Sequence, residues 1–152
     1  DQDDLVSIDK ATGVATRVGE SGVSTGGNGL AFDGLGQLFM FQDAGAYGIN
    51  TSTGAATYLG NVEGDPTAAL HHGDFEPLTG LYYGISTAWG NPRAIYVVDV
   101  STLSIVQTLP TVNGLHTLAF VKEAVAPVPA AAYLAVLGLA FAGRELRRRK
   151  LV

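Results

Sequence analysis

The sequence predicts an all-β fold: four-stranded antiparallel, propeller-blade-like repeats, forming a partial propeller, followed by a single C-terminal hydrophobic helix. Three observations predict it. Short segments of alternating hydrophobicity are divided by Thr-Gly and Asp-Gly turns. Those segments recur at a spacing of roughly 40–50 residues, the period of four-stranded blades. From Ala124 onward the alternation stops, and an uncharged run leads into a basic end.

The first element is Leu5-Val6-Ser7-Ile8-Asp9, followed by Lys10-Ala11-Thr12-Gly13-Val14-Ala15-Thr16-Arg17-Val18-Gly19. Asp9 to Gly13 reads as a hairpin, because Asp and Thr bond locally to backbone and Gly supplies positive φ. The device returns in Tyr47-Gly48-Ile49-Asn50 and Thr51-Ser52-Thr53-Gly54-Ala55-Ala56-Thr57-Tyr58-Leu59-Gly60. A third copy is Ile95-Tyr96-Val97-Val98-Asp99 followed by Val100-Ser101-Thr102-Leu103 and Ser104 to Leu109. Leu103 stands where the other copies have glycine, so a differently built turn is expected there. Between these copies lie second halves: Gly29-Leu30-Ala31-Phe32-Asp33, Gly73-Asp74-Phe75-Glu76 and Leu115-His116-Thr117-Leu118-Ala119-Phe120. Their phenylalanines are 43 and 45 residues apart. The first two continue into Gln37-Leu38-Phe39-Met40-Phe41 and Gly80-Leu81-Tyr82-Tyr83-Gly84. Grouped in chain order, residues 5–42 and 46–85 make two four-stranded units, and residues 94–121 supply three strands of a third. A β-sandwich of successive hairpins is the simpler alternative. A closed propeller needs about four blades or more, so residues 1–123 are expected to be the C-terminal part of a longer repeat domain. The start at Asp1, without a secretory signal pattern, agrees with that expectation.

The tail has three parts in a fixed order: Pro127-Val128-Pro129, an apolar run to Gly143, and Arg144, Arg147, Arg148, Arg149 and Lys150. Twenty residues from Ala124 to Gly143 carry no charge, about the length that crosses a hydrocarbon core as a helix. Cations flanking a span stay on the cytoplasmic side, which orients the C-terminus inward and residues 1–123 outward. A helix packed on the domain is the alternative.

These residues resemble the PEP-CTERM sorting segment, in the variant whose motif reads Val-Pro-Leu-Pro-Ala before an aromatic residue and Leu. The likeness covers residues 126–150. Ala126 stands in place of the variant's Val, and Glu145 and Leu146 interrupt the basic block. The resemblance implies a Gram-negative envelope protein, inserted transiently in the inner membrane, recognised at Pro127, Val128 and Pro129 by an exosortase-type enzyme, cleaved and exported. It also implies association with exopolysaccharide or biofilm matrix. Over about residues 4–121 the alternation of Ile-Asp-x-x-Thr-Gly-x-x-Thr with Gly-Leu-Ala-Phe-Asp resembles bacterial surface propellers, which speaks to fold and not to ligand.

Charge narrows the partners. Residues 1–123 hold four Lys/Arg (Lys10, Arg17, Arg93, Lys122) against thirteen Asp/Glu, a balance of −9, while the remainder is +4. Such an acidic domain is a poor nucleic-acid binder. Cysteine is absent, which excludes disulfides and thiol chemistry.

Candidate sites are few. Trp89-Gly90-Asn91-Pro92-Arg93, with Tyr82 and Tyr83 nearby, offers Trp89, Arg93 and Tyr82 as a ligand surface that stacks on a sugar or aromatic group. The alternative is a blade-linking loop with Trp89 buried. His71, His72, Asp74 and Glu76 are donors suited to zinc or manganese. Adjacent histidines on a strand point to opposite faces, however, and His116 stands in a comparable place, so a hydrogen-bonding position in each blade is the favoured reading. Asp3, Asp4, Asp9, Asp33, Asp43, Asp65 and Asp74 read as turn formers rather than calcium ligands. No nucleophile elbow is present, and Gly26-Gly27-Asn28-Gly29 lacks the Lys of a phosphate loop. The expectation is therefore a non-enzymatic binding or structural protein of the cell surface or extracellular matrix, without metal or cofactor. The alternatives are a propeller hydrolase or lyase whose site lies partly in further blades, and a stably membrane-anchored envelope protein.

Overall fold

Ten strands form in the computed structural model, which describes residues 4–23, 29–65, 69–86, 94–111 and 115–121. The chain divides into two units, Asp1–Phe120 and Val121–Val152. Nearly all of the second unit, including the expected C-terminal helix, lies outside the described residues. Among the described residues no helix is long and apolar enough to cross a membrane.

The strands are β1 (Asp4–Ile8), β2 (Ala15–Glu20), β3 (Gly29–Phe32), β4 (Leu38–Gln42), β5 (Gly45–Ile49), β6 (Ala56–Asn61), β7 (Leu70–Phe75), β8 (Tyr82–Ser86), β9 (Ala94–Asp99) and β10 (Ser104–Pro110). They make a two-stranded sheet, β1-β2, and two four-stranded sheets of order β3-β4-β5-β6 and β7-β8-β9-β10. Among the described residues every strand pairing within these sheets is antiparallel, and a single parallel bridge joins Glu63 to Ser104. The chain is thus all-β with four-stranded meanders, but their phase differs from the chain-order grouping. Residues 5–42 do not form one sheet; β1-β2 stands apart, and β3-β4 pairs forward with β5-β6. The same shift joins β7-β8 to β9-β10 and takes the first two strands of the expected third unit. Its remaining segment, residues 115–121, contains no strand. It is fastened to the second four-stranded sheet instead: the Phe120 amide donates to Asp74 Oδ2 at 2.9 Å, and its ring meets Tyr83 edge-on at 4.9 Å.

The phase follows from what covers each face. The central strands LFMFQ, YYGIS and AIYVVD are nearly continuous apolar runs, as strands covered on both faces are. One core cluster joins Ala31, Phe41, Ala46 and Val62 of the first four-stranded region to Leu70, Phe75, Tyr82, Tyr96 and Val98 of the second. A smaller one, Leu38, Met40 and Ile49, takes Leu5 and Val23 from the β1-β2 side. Tyr82 is the hub of the larger cluster. Its ring stacks on Phe41 at 3.9 Å between centroids and meets Phe75 at 5.3 Å. Glycines make the room: a Cβ on Gly29, Gly73 or Gly84 would lie 2.9, 2.6 or 2.7 Å from an atom of Tyr82.

The hairpin turns obey their sequence chemistry. Asp9 Oδ1 accepts from the amides of Ala11 and Thr12, and Asn50 Oδ1 from those of Ser52 and Thr53. Gly13 and Gly54 follow at φ +73° and +82°. Leu103 corrects the expectation for the third copy. The turn is built the same way, with Leu103 itself in the left-handed region at φ +52°. That conformation costs a non-glycine residue about 1–2 kcal/mol. The compensation is packing: Leu103 is half-buried against the larger core cluster and reaches Gly60 of the preceding sheet.

Candidate functional site

The sequence-predicted site residues separate. Trp89 and Arg93 lie outside the described residues, as do Pro127, Val128 and Pro129 and the basic residues Arg144, Arg147, Arg148, Arg149 and Lys150. Tyr82 does not belong to a ligand surface. It has no exposed area, because it fills the glycine-lined slot between the two four-stranded sheets. Burial, and next the Asp74 charge, push its phenol well above the ordinary value of 10.0. Its hydroxyl has no hydrogen-bond partner among the described residues.

His71 and His72 also part company. A register shift in β7 falls between Leu70 and His72. Half-buried His71 places Nε2 3.1 Å from Asp43 Oδ1, tying β7 to the β4–β5 turn, whereas His72 is exposed. Among the described residues no group of three or more His, Asp or Glu side chains is placed to hold a metal ion. The other acidic residues largely serve structure. Asp33 Oδ1 accepts from the amides of Leu35 and Gln37, and Glu76 from those of Leu78 and Thr79. Asp65 accepts from the Tyr96 hydroxyl at 2.6 Å.

The turns after β3, β7 and β9 border a wide cleft of about 880 Å³, with Leu35 and Leu78 at 87% and 93% exposure. Its carboxylates Asp33 and Asp99 are already spent on their own turns. A second cleft, of about 540 Å³, is lined by Gln42, Asp43, Ala44, Gly45, Tyr47, Tyr58 and Asn61, and is built differently.

Tyr47 on β5 and Tyr58 on β6 are cross-strand partners. Their ring centroids lie 5.2 Å apart with planes tilted by 54°. The register shift between Ala46 and Tyr47 is a β-bulge, which turns the bulged strand and re-aims its side chains. Tyr47 is half-buried, with its ring over Gly45, where a Cβ would come within 3.0 Å of it. Tyr58 keeps 55% of its surface exposed. Its hydroxyl donates to Asn61 Oδ1 at 2.7 Å, which fixes the ring and directs the Asn61 NH2 away from that bond.

The rim is rigid. The Asp43 carbonyl accepts from the Leu70 amide at 2.8 Å, and the Ala44 carbonyl from the Val62 amide at 2.7 Å. Asp43 is held at φ +50°, a conformation that non-glycine residues adopt seldom and Asp more readily than most. Its carboxylate remains 75% exposed at the cleft edge. The cleft therefore combines an aromatic platform with a fixed rim of carboxylate and carboxamide groups.

Sequence reading passed over Tyr47, Tyr58 and Asn61. One signal could have found them: counting outward from the Asn50–Gly54 turn pairs Ile49 with Ala56, Gly48 with Thr57 and Tyr47 with Tyr58. In the other two hairpins the position of Tyr47 is taken by Val6, paired with Arg17, and by Tyr96, paired with Thr108, so the aromatic pair is particular to the second copy. No family model, curated protein or solved structure matches the chain.

Proposed function

We propose that the chain is an exported protein of the bacterial cell surface or extracellular matrix, with a propeller-like repeat domain that binds or scaffolds and a C-terminal segment that directs its sorting. The observation that carries this reading is the order Pro127-Val128-Pro129, apolar run, basic end, attached to an acidic domain. Only the cation-poor part is suited to the outside, and only the tail to a membrane with its basic end inward. An exosortase-type enzyme reads the proline motif, and the repeat domain is released outward, where exopolysaccharide is an available partner.

The propeller component draws support from a recurring junction. Gly19, leaving β2, lies against Thr53 and Gly54 in the β5–β6 turn, and Gly60, leaving β6, lies against Leu103 in the β9–β10 turn. Backbone bonds in the same direction accompany both contacts: Ala56 N–H to the Ser21 carbonyl at 2.9 Å, and Ile105 N–H to the Glu63 carbonyl at 2.8 Å. Strands β3 and β7 also run close, with Gly29 against the His71 carbonyl. Equivalent parts of successive sheets thus meet in equivalent ways, as neighbouring blades do.

Intact-mass analysis of the protein recovered from cells and from the medium tests the sorting step. The expected exported form lacks residues 130–152. An exported form that retains them overturns the processing.

A further inference from the structure

We propose that the Tyr47–Tyr58 cleft is a carbohydrate subsite that takes a neutral hexose unit of a glycan chain. The proposal rests on the binding reading above and is independent of how the chain is exported. A hexose ring has an apolar face of C–H groups and an edge of hydroxyls. The exposed Tyr58 ring, steadied by Tyr47 behind it, presents a flat apolar surface for the former. Around it stand groups suited to the latter. Asp43, whose Oδ1 meets His71 Nε2, accepts from a sugar hydroxyl through Oδ2, and the Asn61 NH2 donates to a ring or hydroxyl oxygen, since its Oδ1 is engaged by Tyr58.

Charge selects neutral over acidic sugars. Asp43 stands at the rim, and residues 1–123 carry −9 with four Lys/Arg in all, so uronates and phosphorylated sugars meet repulsion. A merely aromatic ligand makes no use of the rim. Preorganisation adds to affinity: the β4–β5 turn is pinned by two backbone bonds and Tyr58 by its hydroxyl, so little freedom remains to be lost on binding. The volume of about 540 Å³ lies within the usual range of small-ligand sites.

The test is a titration of the 152-residue chain, followed by amide chemical shifts, with cellotetraose, mannotetraose and, as the acidic probe, trigalacturonate. At least one neutral tetrasaccharide is expected to shift the Gly45, Tyr47, Tyr58 and Gly60 amides, and trigalacturonate to leave them unmoved. Tyr58→Ala is expected to weaken the neutral ligand about tenfold, the loss of one stacking contact. Tyr58→Phe keeps the stack and should stay within about threefold of the parent. Unchanged β8 and β9 amide shifts establish that each variant is folded, and Asp43→Asn, which keeps shape while removing charge, serves if Tyr58→Ala does not fold. Absence of shifts with both neutral tetrasaccharides overturns the proposal, as does equal binding of trigalacturonate or parent-like affinity in folded Tyr58→Ala. If Asp43→Asn has to be used, parent-like affinity in that variant overturns it too. Retention of residues 130–152 on the exported form would count against sorting and leave this titration unaffected.

Discussion

The two junctions between successive sheets use the same turn and solve it with different residues. Where the β1-β2 hairpin meets the first four-stranded sheet, Gly19 faces Gly54, and the two backbones approach so closely that a Cβ on Gly54 would lie 2.5 Å from the Gly19 carbonyl oxygen. Where the two four-stranded sheets meet, Gly60 faces Leu103, and the space is filled by a side chain rather than by backbone. The second junction also carries the larger core cluster. A left-handed turn position is therefore not a glycine position by necessity. Glycine is demanded where sterics and dihedral agree, and is dispensable where a buried side chain offsets the strain.

The largest effect should come from breaking the tighter junction. Gly54→Ala combines φ +82° with a backbone clash, and should lower the unfolding free energy in urea by about 3 kcal/mol or more. Gly13→Ala, at φ +73° with nothing within 4 Å of its Cβ, carries the dihedral strain alone and should cost about 1–2 kcal/mol. Equal losses would mean that junction packing contributes nothing.

Next comes Leu103. Leu103→Ala keeps the left-handed strain and deletes half-buried packing, at a cost of about 2 kcal/mol. Leu103→Gly deletes one more carbon yet relieves the strain, so it should be the more stable variant by about 1 kcal/mol. The reverse order in denaturation midpoints would show that the φ value at 103 carries no strain. Tyr82→Phe sharpens the comparison from the core side. It removes a buried hydroxyl that has no partner among the described residues and keeps the ring against Phe41, so thermal stability should be unchanged or raised, by up to about 1 kcal/mol.

The smallest effect is electrostatic and lies in the turns. Hydrogen bonds hold Asp9, Asp99 and Glu76 below their ordinary values of 3.8, 3.8 and 4.5: the amide of Thr12 for Asp9, the hydroxyl of Ser101 for Asp99 and that of Thr79 for Glu76 come first. Arg17 lowers Asp4 in the same way. The folded state thus binds these protons more weakly than the unfolded chain. The stability they contribute is complete above the ordinary values and is lost as pH falls through the lowered ones. Urea midpoints should fall below about pH 4, and Asp99→Asn should make that fall shallower. All four carboxylates are exposed, so the change is modest.

Much of the fold was legible because it is local. Asp9, Asn50 and Asp99 cap turns through bonds to amides two and three residues on, and alternation marks the strands beside them. What could not be read was association. Any two consecutive strands here can form an antiparallel hairpin, so β3-β4 was as compatible with β1-β2 behind it as with β5-β6 ahead. Tyr82 looked like a surface aromatic because Gly29, which opens part of its slot, lies 53 residues away in sequence. The cleft was passed over for a different reason: its lining lies within residues 42–61 and its aromatic pair is a local cross-strand pair, but Trp89 and Arg93, more conspicuous in sequence, drew attention to a different loop.

By itself the sequence determined the all-β class, the repeat, the hairpin turns and the order of proline motif, uncharged run and basic end in the tail. Each follows from periodicity, turn chemistry or charge within a few residues. The tertiary structure alone decided the phase of strands into sheets, the burial of Tyr82, the left-handed Leu103 and the grouping of the Tyr47–Tyr58 pair with rim groups from the β4–β5 turn and the end of β6. These depend on which apolar faces cover one another, and that burial is a property of the whole packed domain rather than of any stretch of chain.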